Sequence, residues 1–281
     1  MNRIITLFSI AVIVFGCSPK LGSTIIARQT PLLDSDFVLV LDENDPYGNS
    51  GIEVGTIKSG DYGFSTNCDY QTVVQNLKTV CRQNGANVMK VTEHKVPDQW
   101  SSCDRITAKI YSVADYKVYQ KQIEWTNKRR LTFQDFKAKP RADADASFGA
   151  ETDCGFGFQI YASLLGGTTI NVKNIFKCKS SWIRPEASNR AELLEHEQAH
   201  FDLSEIYARQ LRKRLAESKT HVFSLAQEAN GIFNEIQGQY SERQVLYDKE
   251  TKHGLDKIAQ ARWKAAIANE LDELKAYYEN D

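Results

Sequence analysis

The stretch His196-Glu197-Gln198-Ala199-His200-Phe201-Asp202 decides how the rest of the chain is read. Two histidines four residues apart on a helix lie about 40° apart around its axis, one turn up, so both imidazoles can reach one metal ion. A glutamate directly after the first histidine reaches the open side of that ion, where it can take a proton from a polarised water. The local context favours a helix. Pro185 and Ser188 come first, and no Pro or Gly interrupts residues 189–217. Asn189 with Glu192 reads as a capping box. Leu193, His196, His200, Leu203 and Tyr207 share one stripe, so the histidines lie on a face that also carries apolar residues, as a buried site requires. An ordinary helix with two hydrogen-bonded histidines is the competing reading.

Composition sets the frame. The chain has 281 residues, 42% hydrophobic and 25% charged, with a net charge of −1. That is a globular composition with room for two domains. No overall basic excess points to nucleic acid, and the basic runs 127–130 and 209–214 read as solvated faces.

Residues 1–17 read as a targeting segment. Arg3 is the positive start, residues 4–15 are a short apolar run, and Val14-Phe15-Gly16-Cys17 closes it. A small residue followed by Cys at this place resembles the lipobox of bacterial lipoproteins, which implies lipidation of Cys17. The apolar run is short for a membrane span. Lipid would then be the anchor, and the expected location is the bacterial cell envelope. An ordinary cleaved signal peptide is the alternative. Residues 18–35, rich in Ser, Thr, Gln and Pro with weak periodicity, are expected to be a tether.

Residues 36–120 are expected to form a small α+β domain. Strands are predicted at 37–41, 52–57, 88–96 and 106–113. A helix is predicted at 70–84, where Val73, Val74, Leu77, Val80 and Cys81 make one apolar stripe. The order is β-β-α-β-β, a sandwich of sheet and helix. Cys68 before the helix, Gly85-Ala86-Asn87 entering a strand and Cys103 in the following loop resemble the small disulfide-bonded domain of the Rcs envelope-stress sensor lipoproteins. The resemblance implies that fold and a Cys68–Cys103 bridge, but no activity; in a binding or sensory lipoprotein this domain would contact an envelope protein partner. The stripe makes Cys81 a buried thiol.

Residues 121–281 are expected to be the second domain. Residues 154–164 and 168–178 flank Leu165-Gly166-Gly167-Thr168 and read as a β-hairpin. Folding about Gly166 sets Cys154 opposite Cys178, which proposes a second disulfide. One arm of this hairpin would serve as an edge strand that receives substrate by strand addition, or be purely structural. Helical stretches at 219–249 and 255–278 close the chain, separated by His253-Gly254.

The string His196-Glu197-Gln198-Ala199-His200-Phe201-Asp202 resembles a poorly characterised family of secreted bacterial zinc-dependent proteases. The likeness extends to Leu131-Thr132-Phe133-Gln134-Asp135-Phe136 and to Tyr247-Asp248-Lys249-Glu250-Thr251-Lys252-His253-Gly254. It implies a zincin-like α+β domain with long helices, Zn2+ as cofactor, and peptidase activity on a peptide or protein substrate.

Such a site needs a third protein ligand beyond His196 and His200. Glu205 lies about 180° around the helix from His196 and about 140° from His200, and so faces away. Asp202 is about 120° and about 160° from them, also badly placed. Of the five histidines, His94 belongs to the other domain and His221 lies just past the zinc helix. His253 sits at a helix break inside the stretch that matches the protease family and is the predicted third ligand. Glu228 and Glu235 are its rivals. Glu197 is the predicted general base. His221, Tyr207 and Tyr247 are weaker candidates for stabilising an oxyanion. The alternative function is a non-catalytic binding or sensory envelope lipoprotein with a structural zinc site; a cell-wall hydrolase is a third reading.

Overall fold

The computed structural model describes residues 19–48, 50–61, 68–144, 148–163, 167–187, 190–218 and 224–278. Cys17, the Asn189 capping box and His221 lie outside the described residues. The chain divides into two compact units, Met1–Tyr119 and Gln120–Asp281. Both mix helix and sheet, so the chain is α+β.

The first unit is a five-stranded sheet with one helix. Its strands are β1 (Lys20–Ile25), β2 (Leu39–Leu41), β3 (Ile52–Gly60), β4 (Val88–Lys95) and β5 (Arg105–Ser112), in the order β1-β3-β5-β4-β2. Helix α1 (Tyr70–Gln83) starts where the Asp69 carboxylate accepts the N–H groups of Gln71 and Thr72 at 3.1 Å each. Its buried face is Val73, Val74, Leu77 and Cys81, packed with Ile106, Ala108 and Ile110 of β5. Alternation along the strands fills the opposite face: Leu39, Leu41, Val88 and Tyr111 meet Tyr47, Tyr116 and Tyr119 there. Cys68 and Cys103 form a disulfide across a separation of 35 residues, and Cys81 is a fully buried free thiol.

Residues 20–25 correct the expectation of a tether. They are β1, paired antiparallel with β3 from Lys20↔Gly60 to Ile25↔Gly55. An edge strand is held by backbone bonds, so its exposed side chains carry no periodicity to read. One sign of it lies in β3. A Cβ on Gly55 would come within 2.2 Å of the Thr24 carbonyl oxygen, so only glycine lets β1 approach.

The second unit holds β6 (Gln122–Glu124), β7 (Ala150–Glu151), β8 (Cys154–Ser163), β9 (Gly167–Lys177) and β10 (Trp182–Ile183), with α2 (Ala191–Glu217), α3 (Leu225–Thr251) and α4 (Lys257–Glu273). Strands β6-β9-β8 form one antiparallel sheet, and β7 pairs with β10. Helix α2 is buried around most of its circumference, which makes it a core helix rather than a surface one. Phe156 and Val172 of the sheet, Ile236 and Tyr240 of α3, and Trp263 and Ile267 of α4 pack around its residues Leu203, Ile206 and Leu211.

The hairpin is present, but its register corrects the second disulfide. Cys154 pairs with Phe176, and the last pair is Ser163↔Gly167. Cys154 and Cys178 are free thiols. A slip of two residues keeps every side chain on its own face, so the alternation of Phe156, Phe158, Ile170 and Val172 fits either register. Only the span of the turn separates them, and glycine content misjudged it. In the observed register Cys154 lies beside Tyr240, whose hydroxyl donates to the Cys154 carbonyl at 3.2 Å. Burial pushes the Cys154 thiol up to about 12 and the Cys178 thiol up to about 11.

Candidate metal centre

His196, Glu197 and His200 lie on the second and third turns of α2, facing α3 and the turn between α3 and α4. The two imidazoles meet at their Nε2 atoms, 3.2 Å apart. A third group joins them that the sequence reading passed over: Asp248, on the last turns of α3. Its Oδ1 is 3.1 Å from His196 Nε2 and 2.9 Å from His200 Nε2. His253 reaches the same carboxylate less closely, with Nδ1 3.6 Å from Asp248 Oδ1. One donor atom from each of His196, Asp248 and His253 fits within a 4.8 Å grouping.

The outer nitrogens of both rings are held by carboxamides. His200 Nδ1 contacts Gln244 Oε1, and Gln244 Nε2 donates to the His200 carbonyl at 3.0 Å. His196 Nδ1 is 3.2 Å from Gln260 Oε1, while Gln260 Nε2 donates to the Tyr247 hydroxyl at 2.7 Å. Tyr247 stacks on His196 with ring centroids 4.7 Å apart and reaches the His196 carbonyl at 3.3 Å. Tyr247 is thus engaged in fixing a ring, and Tyr207 packs in the core against Tyr240.

Electrostatics follows from these contacts. Burial alone would raise the Asp248 carboxyl, but hydrogen bonds from His196 and His200 outweigh it and hold the group well below the usual carboxylate range. Burial alone would lower His200; Asp248, with Glu197 and Gln244, outweighs it and its pKa is raised. Both directions mean that the pocket draws positive charge. Glu197 is only 3% exposed, and its carboxylate has no hydrogen bond among the described residues. Its oxygens are not among the fully buried polar atoms that lack a partner, so they keep some access to solvent.

The turn that carries His253 is strained. Lys252 and His253 have φ of 50° and 53°, and Gly254 has φ of 80°. Side-chain-bearing residues rarely adopt this region, and runs of them mark over-determined, functional segments. Gly254 is pressed on the site itself: a Cβ there would lie 3.0 Å from both Cβ and Cγ of His196. The His253 ring packs at a tilt of 47° against Phe148, with centroids 4.7 Å apart.

The other sequence candidates fall elsewhere. Glu205 is fully buried and paired with Arg209 and Arg212 at 3.0 Å each. Asp202 accepts from Trp125 Nε1 at 2.8 Å and from Gln198 at 2.7 Å. Glu235 pairs with Arg214, and Glu228 accepts from Ser218. Neither rival glutamate is at the site. Gln198 Oε1 also accepts the Leu131 N–H at 2.7 Å, so the segment beginning at Leu131 is stitched to α2.

A divalent metal fits the donor set. Two imidazole nitrogens and a carboxylate oxygen converge, and the charge of Glu197 acts on His200 beside them. In comparisons with known proteins, the profile of a bacterial protein family of unknown function (DUF922) matches residues 178–254. That span contains His196, Glu197, His200 and Asp248 and ends at Gly254. No curated protein and no solved structure matches the chain.

Proposed function

We propose that this chain is a zinc-dependent peptidase or amide hydrolase of the zincin type, exported and lipid-anchored through Cys17, acting on a peptide or protein substrate in the cell envelope. The observation that carries the reading is the convergence of His196 and His200 Nε2 beside a buried Glu197 that bonds to nothing else described. When bound, zinc supplies a Lewis acid that lowers the pKa of a water molecule to about 7. Glu197 then accepts the proton of the attacking water and delivers it to the leaving amine. Gln244 and Gln260 hold the rings so that both Nε2 lone pairs face inward. His196 and His200 hold the metal, with a third donor from the end of α3 or the turn after it.

The test is metal content of the purified chain together with hydrolysis of casein and of peptidoglycan peptides. Glu197→Gln should keep its zinc and lose about 100- to 10,000-fold in rate, the span expected for a general base. Near-wild-type turnover by that variant would remove the mechanism. For the anchor, Cys17→Ser should leave the membrane fraction; unchanged fractionation would contradict lipidation. A second reading is a structural site in a non-catalytic envelope lipoprotein. It is favoured by the grouping of His253 with Asp248 and His196, since four protein donors close a zinc site.

A further inference from the structure

Two side chains compete for the third donor position, Asp248 and His253. We infer that Asp248 completes a His196–His200–Asp248 set and that His253 stays outside it, leaving a fourth position open. The inference rests on the metal reading of this site and deepens it by separating an open site from a closed one.

Distance is the first argument. Donor atoms about 2.0–2.1 Å from one tetrahedral ion sit about 3.3–3.4 Å from each other. The three separations among His196 Nε2, His200 Nε2 and Asp248 Oδ1 are 3.1, 2.9 and 3.2 Å. The triangle is slightly tighter than a liganded one, so the donors need only move apart by a few tenths of an ångström to take an ion. His253 stands farther from the shared oxygen, with Nδ1 3.6 Å from Asp248 Oδ1.

Hydrogen bonding is the second argument. Gln244 donates its amide to the His200 carbonyl, which leaves its Oε1 to face His200 Nδ1. An amide oxygen only accepts, so Nδ1 must carry the proton. Gln260 Oε1 faces His196 Nδ1 as well, while both polar atoms of its amide reach the Tyr247 hydroxyl. With Nδ1 protonated, Nε2 of His200 donates to Asp248 only in the imidazolium, and in the neutral ring it is a lone pair aimed at the same point, ready to bind a metal. His253 turns Nδ1 toward Asp248, and its side chain is 52% exposed against 31% for Asp248.

The strained turn has another explanation that does not need His253 as a ligand. Its left-handed backbone brings Gly254 against His196 and closes α3 onto α4, with the Asp256 carboxylate capping α4 at Ala259. Asp248 precedes the strain, on regular helix, where a ligand is held more rigidly than on a turn.

The test uses the full chain, stripped of metal, with Co2+ as the probe. Affinity is measured by chelator competition and geometry by visible absorption, with His200→Ala as the reference for ligand loss. Asp248→Asn should weaken Co2+ binding by more than about 100-fold, beyond what loss of a residue that merely orients a ligand costs. His253→Ala should stay within about 10-fold of wild type and keep the same absorption bands. If His253→Ala loses the metal, alone or together with Asp248→Asn, the set is different and the inference fails. If both variants keep it, the third donor lies elsewhere and the inference fails too. Far-UV circular dichroism of the metal-free variants shows whether each is folded; should Asp248→Asn not fold, His253→Ala still decides. A wild-type chain that takes up neither Co2+ nor Zn2+ would instead sink the metal reading beneath it.

Discussion

Gly254→Ala should damage the second unit out of proportion to one added methyl group. The backbone at Gly254 has φ of 80°. An alanine there costs about 1–2 kcal/mol in left-handed strain. Its Cβ would also sit 3.0 Å from two carbons of His196, against an optimum of about 3.5–4.0 Å for carbon pairs. The imidazole is stacked on Tyr247 and tied to Gln260, so it yields only by disturbing them, and overpacking of this kind costs about 1–3 kcal/mol. The sum is about 2–5 kcal/mol, or a melting point lower by roughly 4–20 °C for a unit of this size. Gly231→Ala and Gly238→Ala are the controls. Both glycines are exposed inside α3 with nothing within 4 Å of an added Cβ. Replacing either should stabilise by about 1 kcal/mol, so the sign is opposite within one domain. Calorimetry of the three variants, with and without zinc, reads both effects, and the zinc-loaded Gly254 variant should lose most because His196 is displaced. Should Gly254→Ala melt as high as Gly231→Ala, the account of the turn is wrong.

The cysteines supply further tests. Cys103→Ser opens a loop of 35 residues and should cost about 4 kcal/mol by the chain-entropy relation, measured by urea unfolding. Cys81, Cys154 and Cys178 should resist a thiol reagent in the native chain at neutral pH and react fully in denaturant; a Cys154–Cys178 bridge in a non-reducing peptide map would contradict the hairpin register. Burial raises Cys81 and Cys154 to about 12 and Cys178 to about 11. Their contribution to stability is therefore full below the ordinary thiol pKa and is lost as pH climbs through those raised values. Unfolding free energies that rise over that alkaline window would refute the burial.

Much of the fold was legible because most elements carry a periodic apolar face. The stripe of α1 and the alternation of β8 and β9 mark elements whose burial is one-sided. β1 was illegible for the converse reason: it contributes backbone bonds and few buried side chains. At the site, His196, Glu197 and His200 are a local pattern, set by helix geometry alone. Asp248 is brought to them by tertiary packing of α3 on α2, which no spacing encodes. The signal that was available is its place in the Tyr247–Gly254 string, one turn before the helix break that drew attention to His253. Gln244 and Gln260 were invisible for the same reason, since a glutamine on an amphipathic helix reads as solvated surface.

Charge joins these parts. Glu197 and Asp248 both bring negative charge to His200, and Asp248 reaches His196 as well. The side chains that clasp the outer edges of the rings, Gln244, Gln260 and Tyr247, are neutral and balance neither. Protons on the imidazoles balance them in part, which is why His200 is drawn toward its charged form. But a protonated Nε2 is no ligand. One divalent cation compensates both carboxylates and leaves both rings neutral, the form in which their lone pairs bind metal. Carboxylates in place of the two glutamines would favour imidazolium instead and set protons in competition with the metal. Neutral carboxamides orient the rings without adding that competition, so the surroundings of His196 and His200 suit a dication as much as the histidines themselves do.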